Sequence, residues 1–363
     1  MSIFVDSRYI YEYYNYSERV TRACEARNLK GFLRELLLLY LWRKVYIMGK
    51  PYTTYEEQII ILKNKRLLIP DERIAIDLLK RCSYFGLITG YKHPFKDKNG
   101  LYKLHTSIKD VYALYNYDME LRELVLKYIL IIENHIKSLI SYSFCQTYGN
   151  SELAYLNANN YDYTDVKQNE INKLIGKFKF AMSEYDSHPY LQHQRENHGN
   201  IPLWVLTKVI TIGIISKMYS LLRPQVQTLI CKEFDYITED ELARMIDLLS
   251  RFRNVCAHNE RLYDYKYIKG EIKTTAIHSN MSLKKNKGRY VQGKKDLFAV
   301  VIIFKYLLKE NDFTEFIERF SNITEKLLLE TSVLQEKQIL KIMGFPLNWK
   351  DILHCSKELV KID

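Results

Sequence analysis

Proline and glycine are scarce in this 363-residue chain, seven and 13 in all, which excludes a fold built on many tight turns between short strands. Apolar residues recur instead at three- and four-residue spacing, which predicts an all-α protein with strands at most a minor part. Cysteine offers no pattern either. Cys24, Cys82, Cys145, Cys231, Cys256 and Cys355 lie far apart without a Cys-x-x-Cys pair, so their spacing supplies neither a zinc site nor a disulfide framework, and no metal or cofactor is expected. Long hydrophobic runs are missing as well: the longest, Leu297 to Phe304, is too short to span a bilayer. The opening Met1-Ser2-Ile3-Phe4-Val5-Asp6 lacks a basic segment followed by an apolar one, so a soluble cytoplasmic protein with no membrane partner is expected.

What the chain does have is positive charge and tyrosine. Its 54 Lys and Arg against 43 Asp and Glu leave a net charge of +11, which suits attraction to a polyanion such as RNA and equally suits a solvated basic surface. The 30 tyrosines offer stacking faces for unpaired bases, but they run from Tyr9 to Tyr306 and most are assigned to helix packing.

Along the chain, residues 18 to 48 read as one or two helices ending before Lys50-Pro51, and a short helix follows from Tyr55 to Lys65. Pro70-Asp71-Glu72 opens another that ends near Gly86. Residues 119 to 147 hold neither Pro nor Gly and carry one apolar stripe, which predicts the first long helix. Between Asn150 and Asn200 the polar sequence reads as an insertion around one helix near 166 to 184. Pro202-Leu203-Trp204 begins a helix to about Leu222, and Thr238-Glu239-Asp240-Glu241 has capping-box form, with Ile237 and Leu242 placed as a staple. Ala276 to Asp296 reads as a basic loop bearing Lys284, Lys285, Lys287, Arg289, Lys294 and Lys295, candidates for RNA contact. Helices from Asp296 to Lys309 and from Phe313 to Glu330, and a last short one before Gly344, complete the pattern. This gives an N-terminal helical extension (1–49), a core (50–270) containing the insertion, and a basic loop with C-terminal helices packing on that core (271–363).

The richest chemistry lies in Arg253-Asn254-Val255-Cys256-Ala257-His258. A guanidinium binds phosphate in two-pronged fashion and keeps its charge, and an imidazole exchanges a proton near neutrality. Together they fit metal-free phosphodiester cleavage, whereas Cys256-x-His258 has no partner pair for a metal. Arg244, Asp247, Arg251, Asn254 and His258 form a polar stripe, and Leu242, Met245, Ile246, Leu249, Phe252 and Cys256 the inward face. Arg253 falls on the apolar side, so either the helix bends there or that face meets another subunit, and Arg251 is an alternative working cation. Paired or solvated side chains would give the same spacing.

These residues resemble those of the Abi-like abortive-infection proteins of the AbiD and AbiF type, within the HEPN superfamily of helical RNA-acting domains. The resemblance also covers Lys50-Pro51-Tyr52-Thr53-Thr54-Tyr55, Cys82-Ser83-Tyr84-Phe85-Gly86-Leu87 with Pro94-Phe95, Tyr112 to Arg122 with Ile132-Glu133, Pro202-Leu203-Trp204 with Gly213 and Ser216, Arg261-Leu262-Tyr263, and Met343-Gly344-Phe345-Pro346-Leu347-Asn348-Trp349. Relatives more often show Gly-Tyr-Tyr where this chain has Cys82-Ser83-Tyr84-Phe85. The resemblance implies a HEPN-like helical bundle with additional N- and C-terminal helices, and a metal-independent endoribonuclease toxin of phage defence. Arg253, Asn254 and His258 would be its catalytic residues, completed by a second copy in a homodimer and restrained by a structured antitoxin RNA. A non-catalytic RNA-binding or partner-binding dimer platform is the alternative.

Overall fold

A computed structural model describes residues 52–358; the helices expected between 18 and 48 lie outside the described residues. The chain divides between Gln58 and Ile59, and the unit beginning at Ile59 carries all that follows. Its helices are α1 (Tyr55–Asn64, across that division), α2 (Glu72–Cys82), α3 (Ile108–Tyr148), α4 (Glu152–Leu156), α5 (Gln168–Ser183), α6 (Pro189–His198), α7 (Leu203–Leu206), α8 (Ile212–Leu221), α9 (Pro224–Cys231), α10 (Glu239–Ala257), α11 (Ala276–Asn280), α12 (Leu297–Leu307), α13 (Glu310–Glu330) and α14 (Glu336–Met343). A single two-stranded ribbon, β1 (Lys285–Asn286) against β2 (Arg289–Tyr290), is the only sheet among the described residues. The fold is all-α, as the spacing predicts.

Helix α3 organises the unit. Its 41 residues make a rod of about 60 Å at the usual rise, against which α7, α9, α10 and α13 pack. It starts at Ile108, 11 residues earlier than its apolar stripe suggests, because Ser107 and Asp110 form a reciprocal capping box. The earlier start places Asp118 and Arg122 well inside the helix, where both are buried. Its Tyr128 meets Phe316 of α13 edge-on at 5.3 Å, and Phe316 meets Phe304 of α12 at 5.0 Å, joining three helices through aromatic edges.

Helix α12 is buried along its whole length. Its lone charge, Lys305, reaches the Leu353 carbonyl at 2.9 Å and Glu310 at 3.1 Å, so this buried ammonium is not left unpaired. Asp296 caps the helix by accepting from the Ala299 N–H. Gly344 closes α14 at φ +87°, and a Cβ there would lie 2.3 Å from Asp296 Cγ, which gives the Gly-Phe-Pro block a packing role.

Two expected elements come out differently. The helix foreseen from 202 to 222 is broken into α7 and α8 by Thr207 to Thr211. The polar insertion holds α4 and α6 beside the expected α5, because Ser151 accepts from Leu153 N–H and Pro189 opens the first turn of α6.

Candidate active site

Helix α10 begins as its sequence dictates: Thr238 accepts from the Glu241 N–H, and the Glu241 carboxylate takes the Thr238 N–H at 2.8 Å. Leu242, Met245, Ile246, Leu249, Phe252 and Cys256 are buried. The Cys256 thiol is pushed up to about 12 by burial, which leaves it an inert core group. The helix ends at Ala257, and His258 is its C-cap.

That ending is a Schellman turn made by asparagine. Asn259 takes the left-handed conformation at φ +56°. The Glu260 N–H donates to the Val255 carbonyl at 3.0 Å and the Asn259 N–H to the Cys256 carbonyl at 3.4 Å. His258 is thus the last residue before the chain reverses, and its ring is exposed.

A buried ion pair in α3 catches the chain as it leaves this turn. Arg122 donates to Asn259 Oδ1 at 2.7 Å, to the Glu260 carbonyl at 3.4 Å and to Asp118 at 2.5 Å. Asp118, fully buried, also accepts from the Tyr91 hydroxyl at 2.7 Å and from the N–H groups of Leu262 and Tyr263 at 3.1 and 2.7 Å. Burial pushes the Asp118 carboxyl up from its ordinary value, opposed by the Arg122 guanidinium and the other three donors. The Tyr91 ring, stacked on Tyr263 at 5.7 Å, covers the pair. Asp118 and Arg122 therefore fix where His258 stands without being exposed to a ligand themselves.

Arg253 is placed by another group on α3. Its Nε lies 3.8 Å from Glu133 Oε2, and the other Glu133 oxygen is 2.7 Å from Lys137 Nζ. The sequence left open a bend in the helix or a subunit contact as the reason for an arginine on the apolar side. Helix α10 runs unbroken past it, so no bend accounts for the charge, and within the chain it faces a buried carboxylate. Arg253 makes no hydrogen bond among the described residues, so its two Nη groups stay uncommitted on a side chain that is 30% exposed.

The neighbouring cations are engaged. Arg244 pairs with Asp240, Arg261 with Asp264, and Arg251 with Asp247 at 3.4 Å while lying 5.5 Å from the centre of the Tyr267 ring. Asn254 is exposed one turn before His258 on the same face. Arg253 and His258, five residues apart, are separated by about 140° around an ideal helix. Among the described residues no group of three His, Cys, Asp or Glu is arranged to hold a metal ion.

The basic stretch after residue 276 is more ordered than a loop. Lys287 and Gly288, at φ +48° and +79°, form the two-residue turn of the β1–β2 hairpin, and Lys284, Lys285, Lys287 and Arg289 stand exposed on it. Lys294 does not belong with them. It is buried, its ammonium 3.4 Å from Thr274 Oγ1 and its pKa lowered by burial. Lys295 is half-buried, and its carbonyl accepts from Tyr267. Nearby, His278 is fully buried, with Nε2 3.0 Å from the Gly293 carbonyl and Nδ1 accepting from the Thr275 N–H. Burial brings it down to about 4, so it is a neutral core group.

Asp118, Arg122 and Glu133 are not among the candidate catalytic residues read from the sequence, yet each bears on the motif. The available signal was three charges within an otherwise apolar helical stripe. No helix among the described residues is long and apolar enough to cross a membrane. A family model described as Abi-like protein matches residues 77–264, more than half of the chain, from within α2 to just beyond the Asp118-bound turn. No curated protein and no solved structure matches.

Proposed function

Since this chain belongs to the Abi-like protein family, a family tied to abortive infection, we propose that it acts in phage defence as a metal-independent endoribonuclease of the HEPN type. The observation that carries this reading is the state of the three motif side chains. Arg253 Nη, Asn254 and His258 keep free polar ends around a helix terminus that is rigidly tied, while the cations beside them are spent on carboxylates. This favours Arg253 over Arg251 as the working cation.

In the proposed step an RNA 2′-oxygen attacks the adjacent phosphorus while a base takes its proton. The P–O5′ bond breaks, and the departing oxygen receives a proton from an acid, giving a 2′,3′-cyclic phosphate and a 5′-hydroxyl. His258 serves as one of these groups and the His258 of a second copy as the other. Arg253, its Nε 3.8 Å from Glu133, turns its Nη edge to the charge that builds on the phosphate oxygens, and Asn254 orients the phosphate. The 140° between Arg253 and His258 on one helix suits a site shared between two copies better than one completed within a chain. The exposed lysines of the β1–β2 hairpin fit contact with a structured RNA that restrains the enzyme.

Purified protein, freed of co-purifying nucleic acid, would be incubated with total RNA in EDTA and the ends of the products analysed. Cyclic phosphate ends with wild type, lost by at least about 100-fold in Arg253→Ala and His258→Ala, are expected. Cleavage that needs a divalent metal, or that survives both substitutions, sinks the ribonuclease reading. The Arg253–Glu133 pair is what favours a second reading, a non-catalytic RNA-binding platform in which the arginine is structural.

A further inference from the structure

Arg251, two turns before His258, borders a groove of about 930 Å³ whose other walls are the exposed face of α5 and the start of α8. Lys173 and Lys177 stand one turn apart on that face, and neither has a carboxylate partner among the described residues. Phe180 lies in the same row three residues on and is 68% exposed, so its ring offers an open face beside the two ammonium groups. His188, which also lines the groove, stacks on the exposed Tyr190 at 6.2 Å with the rings 17° from parallel. The groove also holds two carboxylates: Glu170 is paired with Lys217, and Glu184 is exposed.

We infer that this groove carries a single-stranded RNA segment leading to the Arg253–His258 motif, an assignment that rests on the ribonuclease reading for the identity of its ligand. Unpaired cations beside a bare aromatic face are what a single strand requires, since its phosphates and its uncovered bases alternate along the chain. A duplex hides its bases and would leave Phe180 without a partner. An acidic peptide would satisfy the lysines but not the ring. Arg251 connects the groove to the site: seven residues along α10 put it about 10 Å along the axis from His258. Its bond to Asp247 and its place over Tyr267 hold the guanidinium at the groove's edge.

The test is the affinity of the full chain, carrying His258→Ala to prevent cutting, for a fluorescent 12-nucleotide oligouridylate, read by anisotropy across a salt series. Lys173→Glu with Lys177→Glu should weaken binding about tenfold or more and flatten the salt slope by about 1.4, two contacts at the single-strand value. Phe180→Ala should cost about fivefold or more with the slope kept, because stacking carries no counterion. All three side chains are exposed, so the variants should fold, and Lys284→Glu with Lys287→Glu serves as the control on the hairpin. Binding within twofold of the parent in the groove variants, loss only in the hairpin variant, or equal competition by polyglutamate or duplex RNA would overturn the assignment. Since the readout is binding, a chain that holds RNA through the groove yet cuts nothing would bear out the groove while sinking the ribonuclease.

Discussion

Replacing Asp118 by asparagine should loosen the turn that holds His258, and the structure sets the size of the effect. The carboxylate accepts four donors, three on one oxygen and the Tyr263 N–H on the other. An amide has only one oxygen, so in its better orientation the NH2 group faces the Tyr263 N–H and that donor loses its acceptor, a cost of about 1–3 kcal/mol. The substitution also leaves Arg122 as a buried cation without its counter-charge, and breaking such pairs costs about 3–5 kcal/mol. The two penalties overlap, so about 3–5 kcal/mol in total is expected, a large part of the 5–15 typical of a domain.

Urea denaturation of wild type, Asp118→Asn, Arg122→Met and the double variant would measure both the cost and the coupling. The double variant should lose less than the sum of the singles by about 1 kcal/mol or more, because the second change removes the stranded charge. Amide exchange at Leu262 and Tyr263 should accelerate before that of the α3 core does. An Asp118→Asn protein within about 1 kcal/mol of wild type, with Tyr263 still protected, would refute the claim that this pair positions the motif.

Other expectations are more local. His258→Ala should leave the denaturation midpoint almost unchanged, since the ring is exposed, and a large shift would mean the side chain is structural. Gly344→Ala places a Cβ against Asp296 at φ +87° and should destabilise by more than about 1 kcal/mol in the same assay; a neutral result would remove the packing role given to the Gly-Phe-Pro block. Two buried groups set opposing pH dependences. His278 has a folded pKa of about 4, below its ordinary 6.5, so its contribution is present above pH 6.5 and is lost as pH falls toward 4. Asp296 is raised by burial to about 6 from 3.8, so its contribution is present below 3.8 and is lost as pH rises through 6. The two should largely offset each other between pH 4 and 6, and a His278 ring resonance titrating near 6.5 would overturn the assignment.

The sequence disclosed the motif helix more fully than the support beneath it. Thr238 and Glu241 announce the start of α10, and the positions of Leu242, Leu249 and Phe252 give its inward face, because capping and periodicity are local. The partner of Arg253 was not legible, since Glu133 is 120 positions away and only packing of α10 on α3 brings the two together. Asp118 and Arg122 were visible as charges in an apolar stripe, but the donors that satisfy them come from residues 259 to 263. Ser107 and Asp110 carry a legible cap, but Gly90, Pro94 and Gly100 just upstream suggest loop and mask the helix start. The hairpin turn at Lys287-Gly288 was likewise present in the sequence, while the burial of Lys294 depends on where the chain passes afterwards.

The tether between Arg122 and Asn259 spans 137 positions, and this has a bearing on when the motif comes into being. Loop-closure entropy must be met before such a distant contact can form. A peptide containing α10 alone would keep its cap and its helix periodicity, but it would lack the group that sets the turn after His258. During synthesis α3 emerges well ahead of the motif, so the geometry around His258 is completed only once residues through Tyr263 have been made and docked. A truncated or half-folded chain would carry the motif's letters without its shape, so whatever the motif does is confined to finished molecules.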